Sequence, residues 1–444
     1  MKAAKALLPF RRAPASAASL HHHHVTMTHA AANTTRTANT PPARIRNFVV
    51  FSTGQGISSI GTWAQKTAVG WLVWELTHSP AWVGAIALSD LIAALWVAPL
   101  AGVVTDRSNP YRLLLTTQTL MIVLALLLWG VVAAGLATPW LLLGWAILDA
   151  TLQGFNQPVR MVAIGSLAPP ERMSQAIATN SIAANLARSI GPAIAGVVML
   201  KGDVADVFLI NAASFGAMLG AVHYVRRWLD RPGLVDASAS VFSDMASGFA
   251  YVRRTPEIAT LFFLTLAFAL LARPFTELFP ALAGEVFKGG PHTLAMLMSA
   301  QGIGALVGAS WMLKKRSRDA LVRITFSAAL GIALALIAFA STRWIALGVA
   351  TMALAGLFHV VCNIGMQSMA QTMSAPNLRG RVMALYGLLF RAGPALGAFL
   401  IGVLAHWISL QWLVGAAAAL FGLLVLRFIP TVRRVYALVP AGVR

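Results

Sequence analysis

The chain has 444 residues, of which 58% are hydrophobic and only 11% charged, and it carries a formal net charge of +20. A water-soluble domain holds about 25% charged residues, so a soluble enzyme or soluble binding module is excluded, as the mean hydropathy of +0.73 also indicates. The excess of base does not point to nucleic acid, because the basic residues form no stripe on one face.

Residues 1–46 differ from the rest. They are rich in Ala, Thr, Pro and His and hold seven Lys or Arg with no acid, a composition that predicts a disordered basic tail. The apolar stretch Ala6–Phe10 stops at Arg11 and Arg12, so no signal peptide is expected. The run His21–His24 reads either as a metal-binding tract or as low-complexity tail, with Met27 as an alternative start to Met1.

From Asn47 to Arg427 the chain is apolar almost throughout, interrupted by short basic turns. A bilayer core takes about 20 apolar residues per helix. Twelve spans are predicted: 48–75, 82–104, 112–135, 139–166, 174–200, 204–225, 257–284, 292–313, 321–341, 344–373, 381–407 and 409–428. The fold class is therefore all-α and integral to the membrane, with twelve helices in two pseudo-symmetric six-helix bundles. The domains run 47–225 and 257–428, joined by a polar linker, 226–256, whose segment Phe242–Arg254 reads as a short amphipathic helix. Residues 429–444 read as a cytoplasmic tail. The single cysteine, Cys362, lies in an apolar run and allows no intrachain disulfide.

The even-numbered turns and the C-terminal segment hold twenty Lys or Arg, against Lys201, Lys288 and Arg343 at the odd-numbered turns. This positive-inside bias predicts cytoplasmic termini and explains the net charge without a nucleic-acid partner. The halves also echo each other. Span 5 contains Arg188-Ser-Ile-Gly191-Pro192-Ala-Ile-Ala-Gly196, and span 11 contains Arg391-Ala-Gly393-Pro394-Ala-Leu-Gly397. Duplicated halves are a transporter plan, with the site at their interface near the midplane.

Further segments are distinctive: Gly61-Thr62-Trp63-Ala64-Gln65 and Gly70-Trp71 in span 1, Gly102-Val-Val-Thr-Asp106-Arg107 after span 2, Phe155-Asn156-Gln157-Pro158 in span 4, Phe208-Leu-Ile-Asn211 in span 6, and Arg379-Gly-Arg381-Val-Met-Ala384. Over residues 46–430 this ordered set resembles the major facilitator superfamily, and within it the bacterial branch of enterobactin-type siderophore exporters and macrolide-efflux-like proteins. The resemblance implies a gating loop between spans 2 and 3. Gly102, Asp106 and Arg107 match its pattern, Asn109, Pro110 and Tyr111 depart from it, and Arg112 partly compensates. Asp106 is placed to meet the positive N-terminal end of span 3. The corresponding stretch from Gly308 to Arg318 lacks the acid. Gly191, Pro192 and Gly196 resemble a span 5 motif associated with export, and read equally as ordinary kinked packing.

Seven charged residues fall well inside spans: Lys66, Asp90, Asp149, Arg188, Arg273, Glu277 and Arg391. Each costs a few kcal/mol at mid-bilayer unless it is paired or wetted. Lys66 and Asp90 lie at matching depths in adjacent antiparallel spans and are placed to pair, either for coupling or to fix packing. Asp149, Gln153, Asn156 and Arg160 share one face of span 4 that is expected to line a cavity, with Asp149 as proton carrier and Arg160 at the rim. Arg188 and Arg391 can hold an anionic substrate or neutralise Asp149. Arg273 and Glu277 are one turn apart and are expected to pair locally. His359, Asn363 and Gln367 form a row on span 10, where His359 either titrates or is simply hydrogen-bonded.

The expected function is secondary active transport in a bacterial inner membrane: proton-coupled efflux of a small organic molecule, drug-like or siderophore-like, by a monomer. The lipid bilayer is its solvent, the proton its coupling ion, and no metal or other cofactor is expected. No Walker-type loop appears, so direct drive by ATP is not expected. An importer or facilitator of the same fold is the alternative, and a polytopic membrane enzyme a distant one.

Overall fold

Proline and polar caps punctuate the chain. A proline at the first helical position loses no hydrogen bond and arrives with φ preset, and Pro80, Pro110 and Pro139 open α2 (Pro80–Arg107), α3 (Pro110–Ala133) and α4 (Pro139–Leu167) in this way. Asn109 caps α3, its side-chain oxygen accepting from the amides of Tyr111 and Arg112. Asp203 and Asp206 form a capping box at α6 (Val204–Tyr224). These interactions supply the helix-end amides that would otherwise lack partners. The remaining rods of the first half are α1 (Pro42–Thr77) and α5 (Met173–Lys201).

The second half follows a linker helix, Val241–Arg254, and comprises α7 (256–286), α8 (Pro291–Met312), α9 (Arg318–Ala340), α10 (Ile345–Met373), α11 (Arg379–Leu404) and α12 (Leu410–Leu438). This computed structural model describes residues 42–229, 241–312, 317–375 and 378–438. The tail up to residue 41, with His21–His24 and Met27, lies outside the described residues.

Three boundaries differ from expectation. α1 begins at Pro42, so residues 42–46 are helical, because Pro42 can open the helix before the apolar run starts. α12 continues to Leu438, through most of the expected tail. α7 is not one regular helix: π turns at Phe268–Ala272 and Leu282–Val286 flank a 3₁₀ turn at Pro274–Thr276. Pro274 and Pro280 cannot donate to the helical ladder, and each proline ring crowds the carbonyl four residues earlier.

Packing repeats with an offset of six helices. In the first half α1 packs on α5 and α6, α3 on α4 and α6, and α2 on α4. In the second, α7 packs on α11 and α12, α9 on α10 and α12, and α8 on α10. The halves meet chiefly where α2 packs on α11 and α5 on α8. Among the described residues, nine helices are long and apolar enough to cross a membrane. Their outward faces bear Leu127, Leu334 and Leu423, all exposed, a coat that suits lipid and not water. Exposed Trp140, Trp344, Trp407 and Trp412 ring the end opposite the basic turns, as an interfacial aromatic belt does.

Close backbone approach joins the halves near this aromatic-belted end. A side chain on Gly402 would strike the carbonyl of Pro80, and one on Gly84 would strike the backbone of Ala398 and Phe399, so α2 and α11 meet with no side chain between them. Gly196 lies equally close to Ala295 and brings α5 onto α8.

Candidate transport site

The seven interior charges come from α1, α2, α4, α5, α7 and α11. α3, α6, α9 and α12 contribute none of them. Helix length sorts six of the seven into two tiers. Lys66 lies 11 residues from the end of α1, and Asp90 and Asp149 each lie 10 residues into α2 and α4, all counted from the aromatic-belted end. At 1.5 Å per residue this is a depth of about 15 Å. Glu277, in the irregular part of α7, lies 9 residues from that end. Arg188 and Arg391 each lie 13 residues from the same end of α5 and α11, or about 20 Å deep. An acidic tier with one lysine therefore sits above an arginine tier.

In the upper tier, Lys66 Nζ donates to Asp90 Oδ2 at 2.5 Å. Both remain accessible, with side chains 34% and 53% exposed. Asp149, by contrast, is buried. Lys66 is within electrostatic reach of Asp90, Asp149 and Glu277. One cation from the first half thus faces three carboxylates, one of them from the second half. These groups point into the seam between the halves, because a lipid-facing side chain could not reach across it.

In the lower tier, Arg188 is exposed and lies 4.9 Å over the Trp63 ring, and Lys66 is 5.8 Å from the same ring. Both distances are within cation–π range. Gly191 explains how α5 comes so close: a side chain there would strike Cβ of Trp63 and the backbone of Ile60 and Ala64 in α1. The export-type motif thus serves packing, Gly191 against α1 and Gly196 against α8, with Pro192 buried between them. Gly393 and Gly397 of the repeat approach α7 in the corresponding way.

Two expectations are corrected. Arg273 does not pair locally with Glu277. Its Nη1 donates to the carbonyl of Phe390 at 2.5 Å, and its guanidinium lies 3.6 Å from the Phe390 ring. The π and 3₁₀ turns of α7 break the one-turn spacing that local pairing needs, and Glu277 Oε1 instead accepts weakly from Thr276. Asn156 does not line a cavity: it is buried and donates to Thr117 Oγ1 of α3 at 2.8 Å. Its short amide finds a partner on a neighbouring helix that packs against α4. α3 is capped by Asn109, and the expected approach of Asp106 to that helix end falls outside the described residues. The side chains of Asp106 and Arg107 and the surroundings of Gly102 lie outside what is described, and Arg112 is exposed.

Other residues fall as follows. Gln153 is half-buried, and its amide nitrogen has no partner among the described residues. Arg160 donates to Gln157 at 2.8 Å. His359 is buried edge-on against Phe268 and Phe275, with Nδ1 unpartnered among the described residues. Asn363 accepts from Tyr386 at 3.1 Å. Sequence reasoning missed Trp63, Phe390 and Tyr386. Trp63 lay within a distinctive segment and Phe390 beside Arg391, but aromatic residues are too plentiful here for either to stand out. It also missed Gln55 of α1, which donates to Asn180 of α5.

A model of the transmembrane secretion effector family matches residues 37–438. The chain belongs to that family. It is a family of major facilitator transporters, and membership sets aside the membrane-enzyme reading. Among the relatives of this chain, the staphyloferrin A transporter of Staphylococcus aureus is 24% identical over 56% of the chain, and the enterobactin exporter EntS of Shigella flexneri is 27% identical over 60%. Each alignment spans 62% of the relative's own length. The fold is that of the bacterial homologue of the human lysosomal transporter Spinster, in its inward-facing, unoccupied structure. The TM-score is 0.69 at 13% identity, over 90% of this chain and 98% of that one.

Proposed function

We propose that this secretion effector exports a small organic molecule from the cytoplasm in exchange for protons, as a monomer in the bacterial inner membrane with both termini cytoplasmic. The observation that carries this reading is the upper tier. Lys66, Asp90, Asp149 and Glu277 converge in the seam between the halves, where a carboxylate can gain and lose a proton as the halves rock. Asp149 is the proton carrier: it is buried, and Lys66 is already engaged with Asp90.

Direction and orientation rest on separate supports. The excess of Lys and Arg at the even-numbered turns supports a cytoplasmic position for their end of the molecule. The close glycine contact of the halves at the other end, with Arg188 and Arg391 exposed, supports an arrangement open toward the basic end. Export accords with the naming of EntS as an enterobactin exporter, and the substrate class is siderophore-like or drug-like. An importer or facilitator of the same fold is the competing reading. It predicts uptake where export predicts efflux.

The test is transport in everted vesicles across a panel of siderophore-like and drug-like compounds, with and without an imposed proton gradient. Gradient-dependent accumulation is expected, and Asp149→Asn should abolish the gradient dependence while leaving the protein folded. Unchanged proton-driven accumulation in that variant removes Asp149 from the mechanism.

A further inference from the structure

The upper tier leaves the arginines unexplained. Five cations (Lys66, Arg160, Arg188, Arg273 and Arg391) share the seam with three acids (Asp90, Asp149 and Glu277), an excess of two positive charges. Most are engaged locally. Lys66 is held by Asp90, Arg160 by Gln157, and Arg273 by the carbonyl and ring of Phe390. Arg188 and Arg391 are the two that remain. Both are exposed, at the same depth and on opposite halves. Arg188 rests on the Trp63 ring, and Arg391 has no hydrogen-bond or ion-pair partner among the described residues. The two repel each other, while the attraction of Glu277 for Arg188 is the larger of the two effects on that arginine, so Arg391 is the less compensated of the pair.

Two guanidinium groups at one depth within a membrane are costly unless paired or wetted, and an anion held by both would pair them. Each presents a planar fork of donors that fits a carboxylate through two parallel hydrogen bonds. We propose that Arg188 and Arg391 form the substrate site, and that it takes an organic molecule with two separated carboxylates, one per arginine. The site deepens the exporter reading and rests on it for its physiological role. A bridging dianion would also cancel the mutual repulsion of Arg188 and Arg391. Its binding would therefore favour the arrangement that brings the two arginines together, since a ligand shifts an equilibrium by its differential affinity for the two states. The acidic tier above remains free to carry the proton.

The experiment is calorimetric binding to the full chain in lipid nanodiscs, without any proton gradient, so that failure of proton coupling leaves it unaffected. The probes are the straight-chain dicarboxylates from succinate to suberate, the dimethyl ester of each, and inorganic phosphate. One chain length should bind best, with its dimethyl ester about a hundredfold weaker or worse. Arg188→Gln and Arg391→Gln should each weaken binding at least about tenfold, and Arg188→Lys should restore part of the loss. The charge reversal Arg188→Glu, with unchanged melting temperature, should lose the dicarboxylate altogether. No binding across the series, equal binding of diacid and diester, phosphate binding as tightly as the best dicarboxylate, or intact dicarboxylate binding in a folded Arg188→Glu variant each overturns the proposal.

Discussion

The two halves share a packing plan and use it differently. In the second half one of the two interior arginines, Arg273, is a structural tie. Arg273 is buried and bound to Phe390, Phe390 stacks on Tyr386, and Tyr386 donates to Asn363, so α7, α11 and α10 are locked together. In the first half the comparable basic groups lie open. Arg188 rests on the face of Trp63, and the Lys66–Asp90 pair is partly exposed. A locked frame opposite an accessible, charged wall is what a carrier needs, because the ligand must reach its partners while the rods around them hold their shape.

That contrast can be broken from the locked side first. Arg273→Ala removes a charge-assisted hydrogen bond and a desolvated cation–π contact and should lower stability by about 3 kcal/mol. The equivalent Arg188→Ala should cost under about 1 kcal/mol, because it removes only an exposed contact. Thermal unfolding of the two variants in detergent measures the difference directly, and equal losses would erase the distinction between the halves. Gly191→Leu should have a similarly large effect. Its side chain must displace the backbone of α1 beside Trp63, overpacking worth about 1–3 kcal/mol, seen as a lower melting temperature.

Lys66 and Asp90 sharpen the comparison at an intermediate level. Lys66→Met and Asp90→Asn should each impair stability, while the double variant recovers part of the loss, with a coupling of about 1 kcal/mol in a double-mutant cycle. Additive losses would mean that the pair does not interact energetically. The smallest effect is expected at Asn156→Ala, which removes the hydrogen bond to Thr117. It should cost about 1 kcal/mol and leave substrate specificity in the vesicle assay unchanged. Altered specificity would return Asn156 to the cavity wall.

Much was legible in advance wherever one local rule acts. Apolar length and basic turns marked the spans, because lipid imposes them residue by residue. The Lys66–Asp90 pair followed from depth in two antiparallel rods joined by a short turn. Expectation failed where a local rule met a neighbour. Arg273 and Glu277 would have paired on a regular helix, but Pro274 redirected the arginine to α11. Asn156 has the spacing of a cavity residue, but Thr117 of α3 stands within reach.

The amino-acid order by itself settled that this chain dissolves in a bilayer as paired halves with charges held inside, since hydropathy and charge placement are properties of the chain read in one dimension. Only the tertiary structure decided which charges are spent on structure and which stay available. That division depends on distances between rods far apart in sequence, where a proline turn or an absent side chain at Gly191 decides which groups meet.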